Sequence, residues 1–147
     1  MSRESMIVLG GMVAVVLVLV GVRVAYDDIM YLIDKPSAEE LAQGEQAIDE
    51  LEKATEAADP EDLVAAIAPC RAGRELNAAC VTVSPNWRKA HNRHQLATEI
   101  WKSWAGICTS RHLADKPSGC FIRLRSDTGE ALGGSSDEDA SRIWLRE

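Results

Sequence analysis

The chain has 147 residues, 46% of them hydrophobic and 27% charged, with a formal net charge of −7. That length leaves room for one compact domain plus appendages and excludes a second large core. The net charge hides a division along the chain: residues 27–66 carry thirteen acids against Lys35 and Lys53, residues 70–125 carry ten bases against three acids, and the last 22 residues are acidic again.

The first element is an apolar run, Met6 to Val22, seventeen residues without a charge. With Arg23 snorkelling to the interface, residues 6–26 are long enough to cross a hydrocarbon core of about 30 Å at 1.5 Å per residue. A cleaved signal peptide needs a small residue three before the cut. Cutting after Ala25 would put Arg23 there, so an uncleaved transmembrane anchor over residues 1–26 is expected. No cysteine follows closely enough for lipoprotein processing.

Residues 27–69 are expected to form an acidic helical neck. Ser37 and Glu40 make a capping box after Pro36. Leu41, Ile48, Leu51 and Ala58 then recur at heptad-like spacing, with Gly44 and Thr55 as weaker members. This pattern predicts a solvated helix with one stripe against its own head domain, and self-association through residues 37–58 is the alternative. Asp59-Pro60 is expected to start a second, short helix with Leu63, Val64 and Ile67 on its apolar side, ended by Pro69.

Residues 70–147 read as a small head of order β-α-β-β-β, giving an α+β protein overall. CVTV, residues 80–83, is the first strand candidate. Trp87 follows Ser84-Pro85 in a loop or short turn, and Asn92 with Gln95 is a second capping-box pattern opening a helix over 93–108. On the helical wheel Leu96, Ala97, Ile100, Trp101, Trp104, Ile107 and Cys108 form one apolar arc, with Trp101 and Trp104 expected at the heart of the core. CFIRLR, residues 120–125, alternates as a strand with Ile122 and Leu124 inward. Ser126 to Gly129 is a hairpin turn, and Glu130 to Leu132 begins the return strand. GGSSDEDAS reads as a flexible connection, and RIWL, residues 142–145, as a last strand with Ile143 and Leu145 inward. A right-handed crossover would lay the 93–108 helix over the sheet.

Cys70, Cys80, Cys108 and Cys120 all follow the apolar run and match no zinc or redox spacing, so disulfides are their simplest use. Three pairings are possible and the sequence does not choose among them. The preferred pairing is Cys70 with Cys80 and Cys108 with Cys120, each closing a short loop. Arg3 and Arg23 leave the positive-inside comparison even. The need for an oxidising compartment then places the head on the extracytoplasmic, periplasmic side of the cytoplasmic membrane.

The three histidines invite a metal or catalytic reading. His94 lies roughly 21 Å from Cys108 at the helical rise, so these two cannot share a metal. Cys108 and His112 are four apart but have no third ligand at a usual offset. Asp127-Thr128-Gly129 resembles an aspartic-protease signature, yet it lacks the second copy such a site needs and suits a turn better. Gly133 to Ser136 lacks the lysine of a phosphate loop and is followed by three acids. Neither catalytic residues nor a metal or cofactor site are therefore expected.

The bases of the head are dispersed and lack stacking aromatics, which argues against nucleic acid. Arg88, Lys89, Arg93, Arg123 and Arg125 are the candidate partner-binding residues. The order anchor, helical spacer and small α/β module is similar in layout alone to TonB- or TolA-like envelope proteins. No motif carries that likeness, and the spacer is far too short to span an envelope. The expected function is a non-catalytic single-pass membrane protein, an accessory or assembly subunit of a bacterial envelope complex with a protein partner. The alternative is an anchored inhibitor or immunity-type protein that binds a toxin or hydrolase.

Overall fold

Ser37 starts the first helix as its residue type dictates. Its hydroxyl accepts from the Glu40 N–H at 3.2 Å, and its own N–H donates to Glu40 Oε2 at 2.7 Å, closing the expected capping box. The computed structural model describes residues 35–71 and 75–147; the expected anchor over residues 6–26 lies outside them. Among the described residues no helix is long and apolar enough to cross a membrane.

Helix α1 spans Ala38–Ala58, followed by strands β1 (Val64–Cys70) and β2 (Glu75–Val83), helix α2 (Arg93–Ser110), and strands β3 (Phe121–Arg125), β4 (Ala131–Ser135) and β5 (Ile143–Leu145). The α+β class is thus borne out, the described residues forming two helices and one five-stranded sheet in the order β1-β2-β3-β4-β5. β2 and β3 are parallel and joined through α2, while every other neighbouring pair is antiparallel. Parallel neighbours need such a crossover, whereas antiparallel ones close with turns.

The expected short helix after Asp59 is corrected to a strand. Asp59 is buried, and its carboxylate accepts from the N–H groups of Leu63 at 3.0 Å and Val64 at 2.8 Å. It therefore caps a turn, not a helix, and Asp62 takes a positive φ of 52° within it. The alanines of VAAIAPC are neutral enough for either state, and pairing along β2 decides for the strand. Pro69 is tolerated because β1 is an edge strand. The sheet so begins before the expected head boundary at residue 70, and residues 36–147 cluster as one unit.

The α1 stripe is Gly44, Ala47, Ile48, Leu51 and Thr55, all buried, while Ala58 is exposed. It packs on α2 and β1, so the apolar positions that suggested self-association are taken up by the chain's own domain. Arg111, just past α2, reinforces this junction with hydrogen bonds to Gln43 and Gln46 and an ion pair to Glu50.

The core lies between the helices and one face of the sheet, where Leu63, Val81, Val83, Ile100, Trp104, Ile122 and Leu124 are almost wholly buried. Trp87, expected in a loop or short turn, sits in a 3₁₀ turn and is only 2% exposed, a core residue in full. Leu96 is buried with Ile100 and Trp104; Trp101, Ile107, Ile143 and Leu145 are partly buried against the cluster. Trp104 donates to the Asn77 carbonyl at 3.1 Å and Trp101 to the Cys120 carbonyl at 2.9 Å, so each indole N–H is satisfied. Asn92 makes no side-chain cap, which corrects the second capping box.

Both disulfides of the preferred pairing are present: Cys70–Cys80 across the β1–β2 hairpin and Cys108–Cys120 from the end of α2 to the start of β3. Gly133 and Gly134, expected in a flexible connection, lie inside β4 at φ 157° and 136°. A Cβ at these positions would overlap the carbonyl oxygens of Trp144 and Ile122 respectively, so only glycine fits so close to the flanking strands.

Candidate interaction surface

Strand alternation separates the sheet into two faces. Ala79, Val81, Val83, Ile122 and Leu124 point toward the helices. The residues between them point the other way, where no helix of the described residues packs. Register places Ala68, Cys80, Arg123, Gly134 and Trp144 side by side in one row across all five strands. A second row runs Ala66, Thr82, Arg125 and Ala131.

Along these rows lies a shallow trough of about 250 Å³, bordered by Trp144, Arg123, Arg125, Ala131, Gly133 and Asp137. Trp144 is 46% exposed, the exposed large apolar side chain among the described residues. A mixed or antiparallel sheet can leave one face to water, but an indole there is a different matter. Tryptophan and arginine are the side chains most often found at the energetic centre of interfaces. Arginine adds a planar fork that matches carboxylates and stacks on rings.

Arg123 pairs with Glu75 at 3.4 Å, and Glu75 also pairs with Arg71 at 3.1 Å, so its charge is partly answered within the sheet. Arg125 is exposed and has no ion pair among the described residues. The other three candidate partner-binding residues lie elsewhere. Arg88 pairs with Glu130 at 3.1 Å near the β3–β4 turn, Arg93 donates to the Arg88 carbonyl, and Lys89 is exposed beside them. The five bases therefore divide into a pair on the open face and a trio near the start of α2. Trp144 was not among the candidates, although the alternation that turns Ile143 and Leu145 inward also turns it outward.

Cys108 is fully buried in its disulfide, while His112 is exposed at a φ of 58°. Its N–H bonds to the Thr109 carbonyl, and that of Leu113 to the Cys108 carbonyl, so His112 occupies the left-handed position of a Schellman motif. Among the described residues no group of three or more His, Cys, Asp or Glu side chains could hold a metal. Two carboxyls titrate below their ordinary range: Glu50 through its hydrogen bond from Arg111, and Asp139 through those from the Ser141 hydroxyl and N–H. One belongs to the α1–α2 junction and the other to the β4–β5 connection. What the open face can do chemically is bind: an apolar anchor against Trp144, with carboxylates toward Arg125 and Arg123. No family model, curated protein or solved structure matches the chain.

Proposed function

We propose that this chain is a non-catalytic single-pass membrane protein whose extracytoplasmic α+β domain docks a protein partner on its open sheet face. Residues 6–26 hold it in the cytoplasmic membrane, and it serves as an accessory or assembly subunit of a bacterial envelope complex. The observation that carries this reading is the row of Arg123, Gly134 and Trp144 with Arg125 beside it, a hydrophobic anchor and two forks around a trough. The two disulfides support an oxidising compartment, and the uncharged Met6–Val22 run supports the anchor.

The partner surface that complements this face is apolar at its centre and acidic at its edge. Tagged full-length chain purified in mild detergent should bring down one stoichiometric partner. The Trp144→Ala/Arg125→Ala variant should lose it while keeping both disulfides and the same thermal unfolding midpoint. A chain that runs alone at every concentration, or a double variant that retains its partner, would overturn the reading.

A further inference from the structure

A second surface lies at the opposite edge of the sheet, remote in chain order from Trp144. β1 is an edge strand, so one row of its N–H and C=O groups has no strand to pair with. Ala65, Ala66 and Ala68 are exposed, and no lysine guards the edge. Register irregularities flank its regular stretch, between Val64 and Ala66 and between Pro69 and Cys70. They confine the open edge to a few residues.

Beside this edge runs a groove of about 230 Å³ between β1 residues 64–67 and the last turns of α1. Its helical wall carries Glu52, Thr55 and Glu56, and Asp59 and Asp62 of the following turn also line it. Glu52, Glu56 and Asp62 are exposed, and none has an ion pair among the described residues. Thr55 differs: it is only 4% exposed, and its hydroxyl has no hydrogen-bond partner among the described residues. That hydroxyl is enclosed in the packing of α1, so the groove's exposed polar groups are its carboxylates.

We infer that the β1 edge and this acidic groove together receive a short extended segment of a partner protein, with lysine or arginine at alternate positions. The backbone of the segment pairs with β1 as an added strand. One set of alternate side chains then turns toward α1, where Glu52 and Glu56 receive the cations. The other set turns toward the open face. A second copy of this chain is a poor occupant, since edge-to-edge pairing would bring two acidic grooves together.

Binding of a fluorescent peptide of about eight alternating lysines and valines, a common strand length, to the full chain in a neutral detergent tests this directly. Anisotropy should rise with added protein, and the same peptide N-methylated at alternate residues should bind about tenfold more weakly or worse, because it cannot pair along the strand. Glu52→Lys/Glu56→Lys should weaken binding to a similar extent while circular dichroism and the unfolding midpoint stay unchanged. Trp144→Ala should leave peptide affinity unchanged, which separates this site from the one proposed on the open face. Equal binding of the N-methylated peptide, no loss on charge reversal, or no binding of the parent peptide would each overturn the inference.

Discussion

The two faces of the sheet are built from the same strands and have opposite characters. On the covered face Val81, Val83, Ile122 and Leu124 are at most 1% exposed, sealed by α1 and α2 around Trp104. On the open face the positions between them are Cys80, Thr82, Arg123 and Arg125, with Trp144 46% exposed at the end of the row. The comparison shows where this domain keeps its stability and which face it leaves open. Apolar area removed from water holds the first face, whereas the second carries groups whose interactions are incomplete in the free domain.

Substitution sharpens that contrast most strongly at the two tryptophans of opposite exposure. Trp104→Ala removes a fully buried indole and leaves the Asn77 carbonyl without its donor, so a loss of about 3–5 kcal/mol is expected in chemical denaturation of the full chain. Trp144→Ala should change stability by no more than about 0.5 kcal/mol in the same assay. Comparable losses at both positions would break the distinction between a packing face and an open one.

The disulfides offer a test of the second order of size. Their sequence separations are 10 and 12 residues, so the chain-entropy model assigns about 3 kcal/mol to each. Cys70→Ala/Cys80→Ala and Cys108→Ala/Cys120→Ala should therefore cost similar amounts in denaturant melts. Cys70, Cys108 and Cys120 are all fully buried and Cys80 lies on the open face, but only Cys108 and Cys120 belong to the core cluster between helices and sheet. A distinctly larger loss for the latter pair would measure packing on the covered face beyond loop closure.

Smaller effects are expected where the helices end and meet. His112→Gly relieves a side chain held at φ 58° and should stabilise the fold by about 0.5–1 kcal/mol in the same melts. The Glu50 carboxyl sits below its ordinary value of 4.5 because Arg111 donates to it. A depressed folded-state value stabilises above the unfolded one and is lost as pH falls through the folded value. Stability should thus fall slightly as pH drops below about 4.5, and Glu50→Gln should flatten that part of the profile. The exposure of Glu50 to water keeps the effect the smallest of the set.

How much of this was legible follows from the range of the forces involved. The Ser37–Glu40 box, the helix over Arg93–Ser110 and the alternation of Phe121–Arg125 are local signals, set by neighbours one to four residues away. β1 was illegible because an alanine-rich stretch has no strong period, and the Asp59 carboxylate and the β2 partner turn it into a strand. The burial of Trp87 was equally hidden, since a lone tryptophan after Ser84-Pro85 carries no period at all. Of the open face, Arg123 and Arg125 were marked by charge. Trp144 was readable from the alternation of Ile143 and Leu145 but gained meaning only beside the glycines of β4.

By itself the amino-acid order determined the charge division, the apolar run at the start of the chain, the Ser37–Glu40 cap, the turn after β3, and the two amphipathic patterns that became α1 and α2. Tertiary structure decided which cysteines met, that Gly133 and Gly134 became a strand, and that Arg123, Gly134 and Trp144 became neighbours. The division has one physical cause. Propensity, capping and periodicity act along the chain, whereas register, close approach and burial depend on which distant segments share the space between two helices and a sheet.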